Sequence, residues 1–534
     1  MSKLQTYKLS LLAFYKSLDL PFLIFLMLIL NVSLAVKLAG LIFIYVLRPY
    51  FRFNPFKNDT PVFYLLMIGW CVIEVLLNSG RGLNYLVLAG LSTTYWIASF
   101  LIMQQLMQAV KRSGVQKIEK SLEVFFILNA LVSTYHLVRI MVEIESVNPY
   151  TFDGLSFKYS ASTGDYINGI TGDISTANMI INAFGIFYYL SRQRYRMSLL
   201  CFAVATVTTS NLGNMILLLV FAWILLFDRS RMNKSMVIAY LSFMVIFIVK
   251  ISPSNLNYLN HKISRMLKLD KELITPHFTD NSQKEQLINN YIEAYNSKYT
   301  IKQSEKHSVD SLIAENDFKA KQKALEPDSN YIVEQIKIKN HFADFYLELY
   351  GDTIIPPSQK DYYNRHPGKY LSVFETMHFV TQNPYSFVFG AGPGNFSSKL
   401  AFKASNLGVS GKYVDRFVYL SPEFKDQHFK LAMNYYLKPA TEHSIINFPN
   451  SVFNQLLGEY GVVGLLLFLI TYLWYFIKRF KRLSFGKILL PLCMLFMLTD
   501  YWFECFSILV VFELLLFIDL NKVPSSTENT QTTA

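Results

Sequence analysis

A chain of 534 residues that is 52% hydrophobic and 16% aromatic, with a mean hydropathy of +0.27, is too apolar for an ordinary soluble protein of its size. Its formal charge of +12 does not point to nucleic acid. Residues 253–444 hold 23 Lys/Arg against 21 Asp/Glu, so the remaining +10 falls mostly in short loops between apolar segments, a signal of membrane topology rather than a concentrated basic face.

Apolar runs of about 20 residues cross a bilayer, and the chain has several. The first, from Leu20, lacks a small-residue cleavage site and leads at once into another, so no cleavable signal is expected. Basic connectors then set the orientation: Arg48–Arg52–Lys57, Lys111–Lys120, Arg192–Arg196, Arg229–Lys234 and Lys478–Lys487. With these in the cytoplasm beside Lys3, Lys8 and Lys16, each interval must hold an even number of crossings. Residues 19–47 form a pair of short spans or one long tilted helix. Residues 61–79 and 83–106 pair around "NSGRG". Residues 121–143 go out and 174–191 return; 196–210 and 212–228 pair around Ser210-Asn211. Residues 235–252 lead out to a long loop, 452–477 return, and 488–500 and 503–520 close the set around Asp500.

The expected fold is therefore an all-α polytopic membrane protein of about twelve transmembrane helices. N-terminal membrane helices occupy 1–252, a large extracytoplasmic loop 253–451, and C-terminal membrane helices 452–520. A disordered cytoplasmic tail, 521–534, follows, and both termini lie inside. Within the loop, apolar residues at 3–4 spacing predict helices at 283–297, 331–350 and 370–382, so it reads as a mainly helical folded cap. The four cysteines, Cys71, Cys201, Cys493 and Cys505, all fall in apolar segments and cannot staple that loop. No CxxC or His/Cys cluster suggests zinc, and neither metal nor cofactor is expected.

This topology gathers the unusual polar residues on the outer side. Arg81 tips one loop, Asp173 precedes the sixth span, Ser210, Asn211 and Asn214 sit at the turn of a hairpin, and Asp500 sits at the last turn. Polar groups beside a bilayer are costly, so their grouping suggests a site, although loop tips are commonly polar. His136, Arg139 and Glu143 share one helix face by their spacing of 3 and 4. Arg139 either presents a cation to an anion at the surface or forms an interfacial pair that snorkels to water. "FVFGAGPGNF" (387–396) spaces Gly390, Gly392 and Gly394 unlike a dinucleotide loop. It reads as a tight turn whose amides could face an anion.

Two stretches carry a resemblance. "VTQNPYSFVFGAGPGNFSS" (380–398) and "FPNSVFNQLLGEYGVVGLLLF" (448–468) are similar to elements of the O-antigen ligase and O-antigen polymerase family of polytopic glycan transferases. That family has a "P-x-x-G-x-G-x-x-F" turn; here Pro384 is followed by Gly390, Gly392 and Phe396. Pro449, Gln455, Leu456, Leu457, Glu459, Gly461 and Gly464 match the element that leads into the next span. The family's His-Asn pair falls here on Asn450 and Ser451, and its Ser-Arg pair on Ser210-Asn211. Asn450 can orient a hydroxyl but cannot serve as a base near neutral pH. An essential histidine belongs more closely to the ligases, so its absence leans towards a polymerase or a divergent branch.

The resemblance implies transfer of a glycan from a polyprenyl-pyrophosphate carrier to a glycan or lipid-core acceptor, with the bilayer and a chain-length regulator as further partners. It implies location in the plasma (inner) membrane. The anionic leaving group needs cations, for which Arg81 and Arg139, with Lys369, Lys399 or Arg416 from the loop, are candidates. Glu459 or Asp173 would position or deprotonate the acceptor hydroxyl. Asn450, Ser451 and Gln455, with the amides of Gly390, Gly392 and Gly394, would line the cavity. The alternatives are a ligase, a transporter of lipid or polysaccharide, and a structural or scaffold membrane protein.

Overall fold

The computed structural model describes residues 12–49, 61–151, 163–172, 174–228, 230–252, 366–405, 413–437 and 445–521. The predicted helices at 283–297 and 331–350, and Asp173, lie outside the described residues. All described residues belong to one of the two units into which the chain divides, Met1–Leu256 with Thr353–Ala534.

Among the described residues the regular elements are helical, with no strand. In chain order we number them α1 (Leu20–Ile29), α2 (Leu34–Leu47), α3 (Phe63–Leu77), α4 (Leu83–Ser113), α5 (Val115–Glu143), α6 (Ser175–Ser191), α7 (Tyr195–Val207), α8 (Asn211–Phe227) and α9 (Arg231–Ile246). After the long loop come α10 (Gly368–Thr381), α11 (Pro384–Phe389), α12 (Lys399–Ala404), α13 (Val452–Leu467), α14 (Gly486–Phe496) and α15 (Ser507–Leu520). Each apolar segment read from the sequence coincides with one of these. The loop helix expected at 370–382 is α10.

Four stretches are long and apolar enough to cross a membrane: Leu83–Ser113, Val115–Glu143, Arg231–Ile251 and Ile445–Ile477. Shorter apolar helices accompany them, and together they mark a membrane protein. The outward faces agree: Trp223, Leu226 and Phe227 on α8, and Ile238, Phe243 and Ile246 on α9, all stand exposed. A belt of that kind would be costly in water and is ordinary in lipid. Residues 19–47 are two helices rather than one, folded back at Leu30–Ser33 so that Gly40 meets Leu28. The ten residues of α1 rise only about 15 Å, half the hydrocarbon thickness.

Local chemistry explains the boundaries. Asp19 caps α1, accepting from the Phe22 amide at 3.1 Å, and Pro21 fits its first turn. Ser210, Ser230 and Ser451 cap α8, α9 and α13 in the same way. At the centre stand α6, buried from Ser175 to Leu190, and α15, buried from Ser507 to Asp519; they meet through Phe184 and Phe512, whose ring centroids are 6.0 Å apart. Gly185 lets α7 approach α6, since a Cβ there would come within 2.7 Å of the Cys201 sulfur. All four cysteines are free and buried.

The stretch entering the membrane at α13 is broken inside. Gly461 has φ 63° and ψ −167°, which divides a short leading helix from the longer apolar part. That break places the polar lead-in beneath the glycine turn, where α10, α11 and α13 pack together.

Candidate functional site

The glycine turn and the α13 lead-in, more than sixty residues apart in sequence, dock backbone to backbone. The Ala391 amide donates to the Gly458 carbonyl at 2.9 Å, and the Gly392 amide to the Glu459 carbonyl at 3.0 Å. A Cβ on Gly390 would lie 2.7 Å from the Glu459 backbone, and its φ of 72° is left-handed, so glycine is needed there twice over. Phe396 stacks on Phe379 at 4.6 Å and covers Gly458, whose missing side chain makes room for the ring.

The anion received by the turn's amides is the carboxylate of Glu459. It is fully buried and accepts from the amides of Gly394 (2.9 Å), Ser397 (3.1 Å) and Phe396 (3.3 Å). Glu459 therefore anchors the turn. A second buried acid, Glu504, continues this arrangement by accepting from the Leu400 amide at 2.9 Å and the Gln455 side chain at 3.1 Å.

Beyond this anchor, three lysines converge on the turn before α15. Lys369, on α10, donates to the carbonyl and side-chain oxygens of Asn450 and lies 3.4 Å from the Thr499 carbonyl. Lys399, at the start of α12, lies 3.7 Å from the Cys505 sulfur. Lys37, on α2, donates to the Cys505 carbonyl, with its ammonium 5.1 Å from the Phe506 ring. Asp500 joins them, accepting from Asn450 at 3.4 Å and from the Cys505 thiol at 3.6 Å. Phe506 has φ 59°, a left-handed conformation that a bulky residue rarely adopts and that tends to mark functional sites. The residue Lys369 as a whole keeps some exposure, but its amine is packed round by protein, and that burial pushes it down to about 7 against the opposing pull of Asp500.

The expected residues thus separate into groups. Glu459, Asn450, Ser451, Gln455, Lys369, Lys399 and the three glycines share one site. Ser451 serves there as the cap of α13. Arg81 sits at its rim in a two-pronged pair with Glu423, 2.8 and 3.3 Å, and 3.4 Å from the Ala391 carbonyl. Burial alone would lower its pKa, but Glu423 outweighs that and raises it. Arg416 is exposed, against the ring of Phe417. Arg139 pairs with Glu143 at 2.6 Å and is half exposed near the C-terminal end of α5. Ser210 and Asn211 open α8, with Ser210 accepting from Gly213 at 3.4 Å. Arg139 lies on α5 and Ser210 and Asn211 at the start of α8, elements that carry none of the three lysines.

Sequence reading passed over Lys37, Glu504 and Glu74. Each is a lone charge inside an apolar run ("LAVKLAG", "WFECF", "CVIEVLL"), and ionisable residues in such runs are rare without a reason. That signal was available.

Comparison with known protein families, curated proteins and solved structures found no match.

Proposed function

We propose that this chain is a membrane glycosyltransferase. It polymerises polyprenyl-pyrophosphate-linked oligosaccharide repeat units of a surface polysaccharide, on the extracytoplasmic face of the plasma (inner) membrane. Its twelve apolar helices lie in the bilayer, α1 and α2 as a short pair, its large loop lies outside and both termini lie inside. The observation that carries the reading is the docking of the two stretches that resemble the ligase and polymerase family, held by Glu459 beside three lysines.

The chemistry follows from charge. The acceptor hydroxyl oxygen bonds to the anomeric carbon as the bond to the pyrophosphate oxygen breaks; the diphosphate departs with the electron pair of that bond and takes up the hydroxyl proton. That departing charge needs fixed cations in a site poor in water. Lys37, Lys369 and Lys399 supply them from three different elements, and Asn450 holds Lys369 in place. Arg81 and Arg139, each paired with a carboxylate, fit this part less well.

The test is gel analysis of surface glycan from cells lacking the protein, with lipid-linked intermediates extracted in parallel. A single repeat unit left on the surface lipid is the expected result. Long polymer stranded on the prenyl carrier would mean ligase. An unchanged profile with no lipid-linked build-up would reject both and favour transport.

A further inference from the structure

Glu74 is the most isolated acid in the described structure. It lies in the last turn of α3, is fully buried, and neither carboxyl oxygen has a well-formed hydrogen bond. Three more orphaned polar atoms lie nearby: the indole nitrogen of Trp70, the hydroxyl of Tyr85 and the side-chain oxygen of Asn395. The carboxylate lies beside the Trp70 indole and acts electrostatically on Tyr85. Gly392 closes the group from the turn. At φ 92°, its missing Cβ would sit 3.1 Å from the Tyr85 hydroxyl, 3.2 Å from the Asn395 amide nitrogen and 3.6 Å from that of Asn78. Buried polar groups are nearly always satisfied, so a cluster of side-chain atoms this poorly partnered calls for an occupant.

The character of those atoms narrows the occupant. Two are carboxylate oxygens and one an amide oxygen, all acceptors; the indole N–H is a donor and the phenol can do either. A sugar's hydroxyl groups, which both donate and accept, complement such a set. A diphosphate, whose oxygens chiefly accept, does not match the acceptor oxygens of Glu74 and Asn395, and the Arg81 guanidinium beside Tyr85 is committed to Glu423. The same loop joins this cluster to the lysines: Gly392 and Asn395 adjoin Tyr85, while Ser397 and Lys399 face Tyr501 and Cys505. Gly392 and Lys399 are seven residues apart, so at most about 25 Å. A strap of residues 413–424 packs over the cluster through Arg81–Glu423, through Ser421 on the Asn395 carbonyl (2.5 Å), and through Tyr419 against Tyr85 (5.9 Å).

We infer that Glu74, Tyr85, Trp70 and Asn395 form a subsite for hydroxyl groups of the acceptor sugar, reached when the strap lifts. This rests on the glycosyltransferase reading. It separates the two halves of that site by charge: lysines for the diphosphate, an acid and neutral groups for the sugar.

The test uses full-length protein in lipid nanodiscs. The probe is the lipid-free oligosaccharide released by mild acid from the lipid-linked units of the same cells. Its direct binding is measured by calorimetry, and its use as acceptor is measured with lipid-linked donor. Glu74→Gln and Tyr85→Phe are compared with the wild type, with monodisperse elution as the check on folding. Binding and the half-saturating acceptor concentration should each worsen at least tenfold in both variants, with the half-saturating donor concentration unchanged. Wild-type transfer with both quantities unchanged in a folded variant would overturn the subsite and leave the function standing. Binding that depends on Glu74 without any transfer would keep the subsite and overturn the function.

Discussion

Lys369 ties the site's chemistry to pH. Its amine, lowered to about 7 by burial, is charged below that pH and neutral above it, whereas an unfolded lysine stays charged to about 10.4. Between the two values the unfolded chain binds the extra proton, so stability should rise as pH climbs from 7 towards 10. Lys369→Met should flatten that part of the pH profile of thermal unfolding; an unchanged slope would refute the assignment. The same titration predicts the opposite trend for ligand. Inorganic pyrophosphate should bind more tightly at pH 6 than at pH 8, and Lys369→Arg should remove most of the difference. Among the other cations the structure ranks the expected losses. Lys37→Met should lower transfer at least about a hundredfold, the scale of removing one preorganised charge donor. Arg139→Ala breaks only a half-exposed pair of the kind worth little, and should stay within about twofold. Rates in matched vesicles would reverse this order if Arg139 were the working cation.

At the scale of elements, the glycines of the docked turn carry the most specific prediction. A methyl on Gly458 would overlap the ring of Phe396, and a buried ring has nowhere to go. Gly458→Ala should cost about 1–3 kcal/mol, the usual range for overpacking a core, and lower the melting temperature measurably. Gly69, which has nothing within 4 Å of its missing Cβ, should tolerate alanine with no loss. The helices themselves were legible in the sequence because apolar runs, serine caps and punctuating glycines are local signals. The boundaries of α8 and α9 follow from Ser210 and Ser230 in this way. The docking of 390–397 on Glu459 was legible only as a likeness between two motifs, since no local rule says which amides a carboxylate will find. Lys37 and Glu74 escaped because a single charge in an apolar run says that something is needed, but its partner comes from a helix hundreds of residues away, as with Lys37 and Cys505.

For the whole molecule, the distribution of charge predicts the orientation. Asp415, in the outer loop, and Lys481, in a basic connector, are both exposed, while the native cysteines are buried. A membrane-impermeant maleimide applied to intact spheroplasts should therefore label Asp415→Cys and spare Lys481→Cys until the membrane is opened. The reverse pattern would invert the topology and place the lysine site on the cytoplasmic side, where nucleotide-activated sugars rather than lipid-linked ones are the natural donors.

The central claim is transfer between lipid-linked glycans, and reconstitution tests it most directly. Purified protein in vesicles would be given only polyprenyl-pyrophosphate-linked repeat units, and the products would be separated by size. A ladder of two, three and more units, with free polyprenyl pyrophosphate released in step and lost in Lys37→Met, is the predicted result. Units that remain single in the presence of folded, correctly oriented protein would contradict it.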